Sequence, residues 1–147
     1  MIRLNLPPFD YRIRQVQGKV WIFDIIRKKF LVLTPEEWVR QHVVHYLCDH
    51  LHYPKSMIKA EMNFSYGELK KRSDLVVFNR EGEPWILIEC KAPEVVLSRE
   101  TVHQLLSYNQ ILSARYVVIT NGLHLFCQDR NNPEKLLTSL PDYKAVD

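Results

Sequence analysis

Two apolar runs that end in charge constrain this chain more than any other feature. Asp74-Leu-Val-Val-Phe78 and Trp85-Ile-Leu-Ile-Glu-Cys-Lys91 flank Asn79-Arg-Glu-Gly-Glu-Pro84, a polar stretch of turn formers. Such a pattern predicts a β-hairpin turning at residues 80–82. Strand side chains alternate, so Glu89 and Lys91 share a face and Cys90 points away, as a small buried apolar residue. Folding the hairpin brings Asp74 roughly opposite Glu89. Two carboxylates and an ammonium then meet at the end of an otherwise apolar sheet, where charge is costly unless paired or holding a metal.

Two uses of that charge are open. One is a buried salt bridge between Lys91 and the carboxylates, the commoner meaning of an isolated Asp…Glu-x-Lys match. The other is a site for a hard cation, Mg²⁺ or Mn²⁺, which takes carboxylate oxygens, keeps waters and completes its shell with a phosphate. Lys91 would then orient a water and stabilise a developing anion. The apolar flanks and the hairpin geometry favour the metal site.

The chain has 147 residues, enough for one domain with a sizeable core. A net charge of +3 gives no strong overall field, so any anion-binding surface is local. Basic groups cluster at Arg12, Arg14 and Lys19, at Arg27-Lys28-Lys29, and at Lys70-Lys71-Arg72. The last cluster directly precedes Asp74, where a phosphate-binding surface would be useful, although a solvated turn is its commoner meaning. Cys48, Cys90 and Cys127 form no Cys-x-x-Cys pair, which argues against a zinc ribbon or a disulfide framework. With no signal-like segment and no long apolar span, the expected setting is the cytoplasm, with no membrane contact and reduced thiols.

Leu4-Asn-Leu-Pro-Pro-Phe9 reads as extended. A hairpin follows, Tyr11–Val16 and Lys19–Phe23 about Gln17-Gly18, with Lys29–Leu33 as a third strand. Thr34-Pro-Glu-Glu37 starts a helix, Thr34 as cap and Glu37 in the capping-box position, and the helix is expected to reach about Leu51 before Pro54. Its apolar stripe is Val39, Val43, Tyr46, Leu47 and Leu51. Ser56–Phe64 reads as a strand, and Ser98 caps a second helix, with Val102, Leu105, Leu106 and Leu112 on one face. Tyr116–Thr120 and Leu123–Cys127 are strands about Asn121-Gly122. The tail after Asp129 is loop-like, with weak helix potential over Pro133–Leu137. The order is a β-hairpin extension followed by αβββαββ, an α/β chain with a mixed sheet flanked by helices.

Pro35-Glu-Glu-Trp-Val-Arg-Gln41, Lys71-Arg-Ser-Asp74, Ile86-Leu-Ile-Glu-Cys-Lys-Ala-Pro93, Gln104-Leu-Leu-Ser-Tyr108 and Ile119-Thr-Asn-Gly122 occur in an order that resembles the PD-(D/E)XK nuclease superfamily. More narrowly they resemble the amino-terminal domain of type I restriction enzyme R subunits. The resemblance spans about Pro35 to Phe126 and implies a restriction-endonuclease-like αβββαβ core over residues 34–147, with residues 1–33 as a β extension outside the family pattern. It implies that Asp74, Glu89 and Lys91 are catalytic, and that Asp74, Glu89 and the Cys90 backbone carbonyl hold Mg²⁺ or Mn²⁺. Glu36 is preferred to Glu37 near the metal, because it shares a helix face with Val39, Val43 and Leu47. Gln104 and Tyr108 form a Gln-x-x-x-Tyr pair expected at the edge of the cleft, and Lys70, Lys71 and Arg72 are expected to meet the DNA backbone. Ser73 stands where the superfamily name has proline.

The implied function is metal-dependent hydrolysis of DNA phosphodiester bonds. The R subunit's motor domain lies outside the resemblance, which leaves two other readings. One is a non-cutting nucleic-acid-binding or accessory module for a separately encoded motor or specificity subunit. The other is a homodimeric structure-specific nuclease. His42, His45 and Asp49, with His50 and His52 beyond, have a spacing that could suggest a transition-metal site, but a solvated helix face is expected. Glu61, on the strand before the hairpin, could face the metal cluster, but such a residue more often pairs with a nearby lysine.

Overall fold

The computed structural model describes residues 1–146, apart from the side chains of Phe64, Tyr66, Leu69, Lys71, Ile111 and Ala145. The first three strands, β1 (Ile13–Val16), β2 (Lys19–Asp24) and β3 (Lys29–Val32), form an antiparallel sheet of their own. Gln17 and Gly18 both take positive φ, 51° and 77°. That is the type I′ geometry whose twist matches two flanking strands, so the Gln-Gly pair sets the register Val16↔Lys19.

Helix α1 (Pro35–His45) starts where expected. Thr34 Oγ1 accepts the Glu37 N–H at 3.0 Å, and Pro35 occupies the first turn, where its missing N–H costs nothing. The helix widens into a π-type turn over Tyr46–His50, earlier than the expected end near Leu51.

The main sheet has six strands in the order β4 (Ile58–Tyr66), β5 (Leu69–Phe78), β6 (Pro84–Cys90), β7 (Tyr116–Thr120), β8 (Leu125–Asp129) and β9 (Asn132–Leu137). All neighbours are antiparallel except β6 and β7, joined through helix α2 (Arg99–Leu112). This is the mixed α/β arrangement expected for a restriction-endonuclease-like fold. Strands β6 and β7 are buried almost throughout because both sheet faces are covered. On one face Val39 and Val43 of α1, with Leu47 of the π-type turn, pack on Leu75, Val77, Ile86, Ile88 and Cys90. On the other, Leu105 of α2 packs with Val76, Leu87, Val117 and Ile119.

Three expectations are corrected. Strand β5 begins at Leu69, so Lys70, Lys71 and Arg72 lie within the long β4–β5 hairpin rather than in a turn. Strand β8 begins at Leu125, two residues late, because Asn121 Oδ1 accepts the N–H groups of both Leu123 and His124 and widens the turn. Pro133–Leu137 belongs to β9 and not to a helix. Proline is tolerated there because β9 is an edge strand, with no further neighbour among the described residues to miss its N–H.

The segment before β1 straps the molecule. Trp38 Nε1 donates to Ile2 O at 2.8 Å, and Asn5 N–H donates to Gly122 O at 2.8 Å. Leu4 is buried against Gly122, where any Cβ would meet its side chain at 2.8 Å. Gly122 also has φ +85°, so glycine is required there for both space and backbone.

Candidate functional site

The β5–β6 ladder stops at Leu75↔Ile88, one step before Asp74 would face Glu89. At that break the Cys90 N–H donates to Asp74 Oδ2 at 2.7 Å, so a carboxylate replaces a backbone carbonyl as the strand's next acceptor. A charged acceptor makes this a strong hydrogen bond, and it fixes Asp74 at the sheet's end. Glu89 is held on its other side by the parallel pairing with Ile119, and is 8% exposed. The Lys91 N–H donates to Thr120 O at 2.8 Å, which carries the lysine just past the end of β6. Its ammonium lies 3.9 Å from Glu89 Oε1, a charge contact longer than a hydrogen bond. Cys90 alternates to the opposite face, fully buried, and burial pushes its thiol well up, so it stays protonated.

Glu36 and Glu37 part company in the first turn of α1. The Glu36 carboxyl is raised, first by desolvation and then by the charge of Asp74, with Lys91 and Arg40 pulling the other way. Although exposed as a residue, it therefore senses both Asp74 and Lys91. Glu37 is buried and turned elsewhere. Its carboxylate accepts from Arg40 Nε at 3.1 Å, from Arg40 Nη2, and from Gln41 Nε2 at 2.8 Å. The capping box is thus met by Thr34, while the Glu37 carboxylate is committed to Arg40 and Gln41, a correction to the expected reciprocal pair.

An ion network missed by sequence reasoning borders the site. Glu61 lies between the pairs Ala60↔Leu75 and Met62↔Ser73, which puts it level with Asp74, and it carries φ +53°. Its carboxylate meets Arg40 Nη1 at 3.1 Å and Arg27 Nη1 at 2.9 Å, with Arg72 Nη1 at 4.0 Å. Arg27 in turn binds Asp24 at 2.7 Å. The expected lysine partner is replaced by arginines, whose planar forks bridge several carboxylates at once. The chain Asp24–Arg27–Glu61–Arg40–Glu37 ties the three-stranded sheet to β4 and α1. Only the Glu37–Arg40 and Asp24–Arg27 spacings, each three residues, were local signals for any of it.

Gln104 and Tyr108 sit together on the shoulder of α2, Gln104 Nε2 3.4 Å from the Tyr108 hydroxyl. Helix α2 packs on the sheet face that carries Leu87, the face to which Glu89 alternates. Lys70 and Arg72 are exposed on the β4–β5 hairpin; the Lys71 side chain lies outside the described residues.

The helix histidines are not a solvated face, which corrects that expectation. His42 is 5% exposed, its Nδ1 2.8 Å from Trp38 O, and the strap residue Phe9 stacks on His45 at 4.1 Å. Burial lowers both imidazoles below their ordinary pKa. Among the described residues no three His, Cys, Asp or Glu side chains form a ready-made metal cage. Asp74 and Glu89 instead offer hard oxygen donors at an open strand end. Two larger clefts lie beside the strap, about 490 and 620 Å³, away from these carboxylates.

A family model described as type I restriction enzyme R protein N terminus (HSDR_N) matches residues 35–142. A solved fragment of a protein described as a type I HsdR subunit, from Vibrio vulnificus YJ016, is 21% identical with a TM-score of 0.61. That match covers 78% of this chain and 24% of the other, so the chain spans about a quarter of that relative's length. A DUF820 protein from Anabaena variabilis ATCC 29413, described as a nuclease, is 12% identical with a TM-score of 0.46, covering 91% of this chain and 80% of that one. The comparison with curated proteins returned no match.

Proposed function

The chain belongs to the family of type I restriction enzyme R protein N termini, and from that premise we propose that it is a divalent-metal-dependent endonuclease acting on DNA phosphodiester bonds. One observation carries the reading: where the β5–β6 ladder opens, Asp74 is fixed by the Cys90 N–H and the Lys91 ammonium lies 3.9 Å from Glu89. The donor set fits Mg²⁺ or Mn²⁺ and not a soft ion, because the oxygens of Asp74, Glu89 and the Cys90 carbonyl are hard ligands and the Cys90 thiol faces the other way. When bound, such an ion supplies a water of lowered pKa and neutralises phosphoryl charge. Lys91 holds a positive charge beside the reacting phosphate and orients the attacking water. Glu36 adds a third carboxyl whose proton affinity is already raised by burial and by Asp74. Gln104 and Tyr108 present an amide and a hydroxyl to the scissile strand, and Lys70, Lys71 and Arg72 contact phosphates without reading sequence.

The test is cleavage of supercoiled, linear, single-stranded and branched DNA with Mg²⁺ or Mn²⁺, beside calorimetric Mn²⁺ titration. Asp74→Ala and Glu89→Ala are expected to lose metal binding and cutting together. Lys91→Ala keeps the metal and cuts ~10²-fold more slowly. Gln104→Ala and Tyr108→Phe cut less at unchanged metal affinity. Equal Mn²⁺ binding by wild type and the Asp74→Ala/Glu89→Ala double variant removes the metal site. A second reading is a non-cutting module serving a motor or specificity subunit. Metal binding without cutting of any of these DNAs selects it. Sedimentation decides whether the active form is a homodimer.

A further inference from the structure

The three-stranded sheet lies outside the matched family region, which begins at residue 35. The sheet and its turns outweigh the chain's whole positive excess: six cations and one carboxylate lie between Tyr11 and Leu33, in a chain of net charge +3. The one carboxylate, Asp24, is buried and bound to Arg27. The register divides the sheet into two unlike faces. The inner face carries Ile22 and Asp24, both buried. The outer face aligns Arg14 opposite Trp21, Trp21 opposite Val32, and Phe23 opposite Phe30, with Arg12 joined to Phe23 through its backbone.

Chemically, the outer face is a layer of rings and guanidinium planes. The Arg12 guanidinium lies 4.5 Å from the centre of the Phe23 ring, and that of Arg14 lies 4.2 Å from Phe30. Phe23 and Phe30 meet edge to face at 5.3 Å. Trp21, Phe23 and Phe30 are only partly covered, while Arg12, Arg14 and Lys19 are exposed. Rings and stacked guanidinium planes offer flat apolar surface to unpaired bases, and the same arginines attract the phosphates between them. A duplex keeps its bases stacked inside and would use only the charge. The Asp24–Arg27–Glu61 contacts then set the direction. They join the Phe23–Phe30 end of this sheet to β4, level with Asp74.

The geometry points to a single-stranded nucleic-acid platform on the outer face of β1–β3, built from Arg12, Arg14, Trp21, Phe23 and Phe30. A strand laid on it leads toward the Asp74–Glu89 end of the main sheet. The platform is a binding surface in its own right and requires no metal.

Its test uses the full chain in EDTA, so failure to cut under the proposed function leaves the result untouched. Labelled oligothymidylate, oligouridylate and a duplex of matched length are titrated by anisotropy, the first two distinguishing DNA from RNA. Expected are tighter binding of a single strand than of the duplex and quenching of Trp21 emission, which Trp21→Phe abolishes. The other two tryptophans, Trp38 and Trp85, are buried and should not respond. Arg12→Ala/Arg14→Ala should weaken binding about ten-fold or more and lower the salt slope by about 1.4, about 0.7 for each phosphate neutralised. Arg12→Lys/Arg14→Lys keeps the charge and loses the planes, so it should keep the salt slope while losing part of the affinity. Any of three results overturns the platform: no single-strand binding, unchanged binding by the Arg12→Ala/Arg14→Ala variant, or equal duplex affinity without Trp21 quenching.

Discussion

Removing the Glu61 carboxylate tests the ion network that borders the acid site. Arg40 and Arg27 each place an Nη1 within 3.1 Å of it, and the Arg40 side chain is only 11% exposed. Hydrogen bonds to charged groups contribute about 1.5–3 kcal/mol each, and partly exposed pairs far less. With the Glu61 side chain 31% exposed, two such bonds discounted for solvent leave about 2 kcal/mol. In a domain of this size that is a fall in Tm of roughly 4–8 °C for Glu61→Gln. Two controls follow from the same residue. Burial works to raise the Glu61 carboxyl, but the Arg40 hydrogen bond and the charges of Arg27, Arg40 and Arg72 outweigh it and hold the pKa below the usual value. A depressed folded-state pKa gives stability that is complete above the unfolded value and lost as pH falls through the folded one. The gap between wild type and Glu61→Gln, measured by denaturant titration, should therefore close below about pH 4. Because Glu61 also holds φ +53°, Glu61→Gly should be more stable than Glu61→Ala by about 1 kcal/mol. A Glu61→Gln cost under about 0.5 kcal/mol at neutral pH, or a gap that persists in acid, would refute the reasoning.

Gly122→Ala should destabilise by about 1–3 kcal/mol in thermal melts, from the clash with Leu4 and the positive φ, and Leu4→Ala in the same background should recover part of that loss. Because burial holds His42 and His45 below their ordinary pKa, the unfolded chain binds more protons near pH 6, and stability falls as pH drops through about 6.5. Tm measured at pH 7.5 and 5.5 should show that fall in wild type and less of it in His45→Phe, which keeps the stacking on Phe9. Neutralising Lys70, Lys71 and Arg72 together should reduce the salt slope of duplex DNA binding by about 0.9 for each phosphate these side chains neutralise, read from affinity over a salt series.

Local chemistry made much of this molecule legible in its sequence. Thr34 and Ser98 announce their helices because a hydroxyl before an apolar-periodic run has one obvious use, and each accepts the N–H three residues on. The place of Asp74 at the end of β6, where it accepts the Cys90 N–H, was legible because a strand's period and a short turn leave little freedom in register. What stayed hidden depends on partners far along the chain. Nothing near Glu61 says that Arg27 and Arg40 converge on it, and nothing in the spacing of His42 and His45 says that Phe9 covers them. Strand β9 was obscured by Pro133, which reads as a breaker until its place at the sheet edge is known. The basic run before Asp74 looked like a turn because polar residues at a projecting strand end carry no burial pattern to mark them as strand.

The amino-terminal strap carries a consequence for how the chain is made. Asn5 finds its backbone and side-chain acceptors at Gly122 and Leu123, 118 residues away for the side-chain bond. On a ribosome adding about 5–20 residues per second, the strap waits roughly 6–24 s for that turn to exist. Until then Trp38, His42 and His45 have only part of their covering, and the hairpin and α1 can assemble while this face stays wet. Docking of residues 2–5 is thus a late step of biosynthesis, because its acceptors are made 118 residues after Asn5.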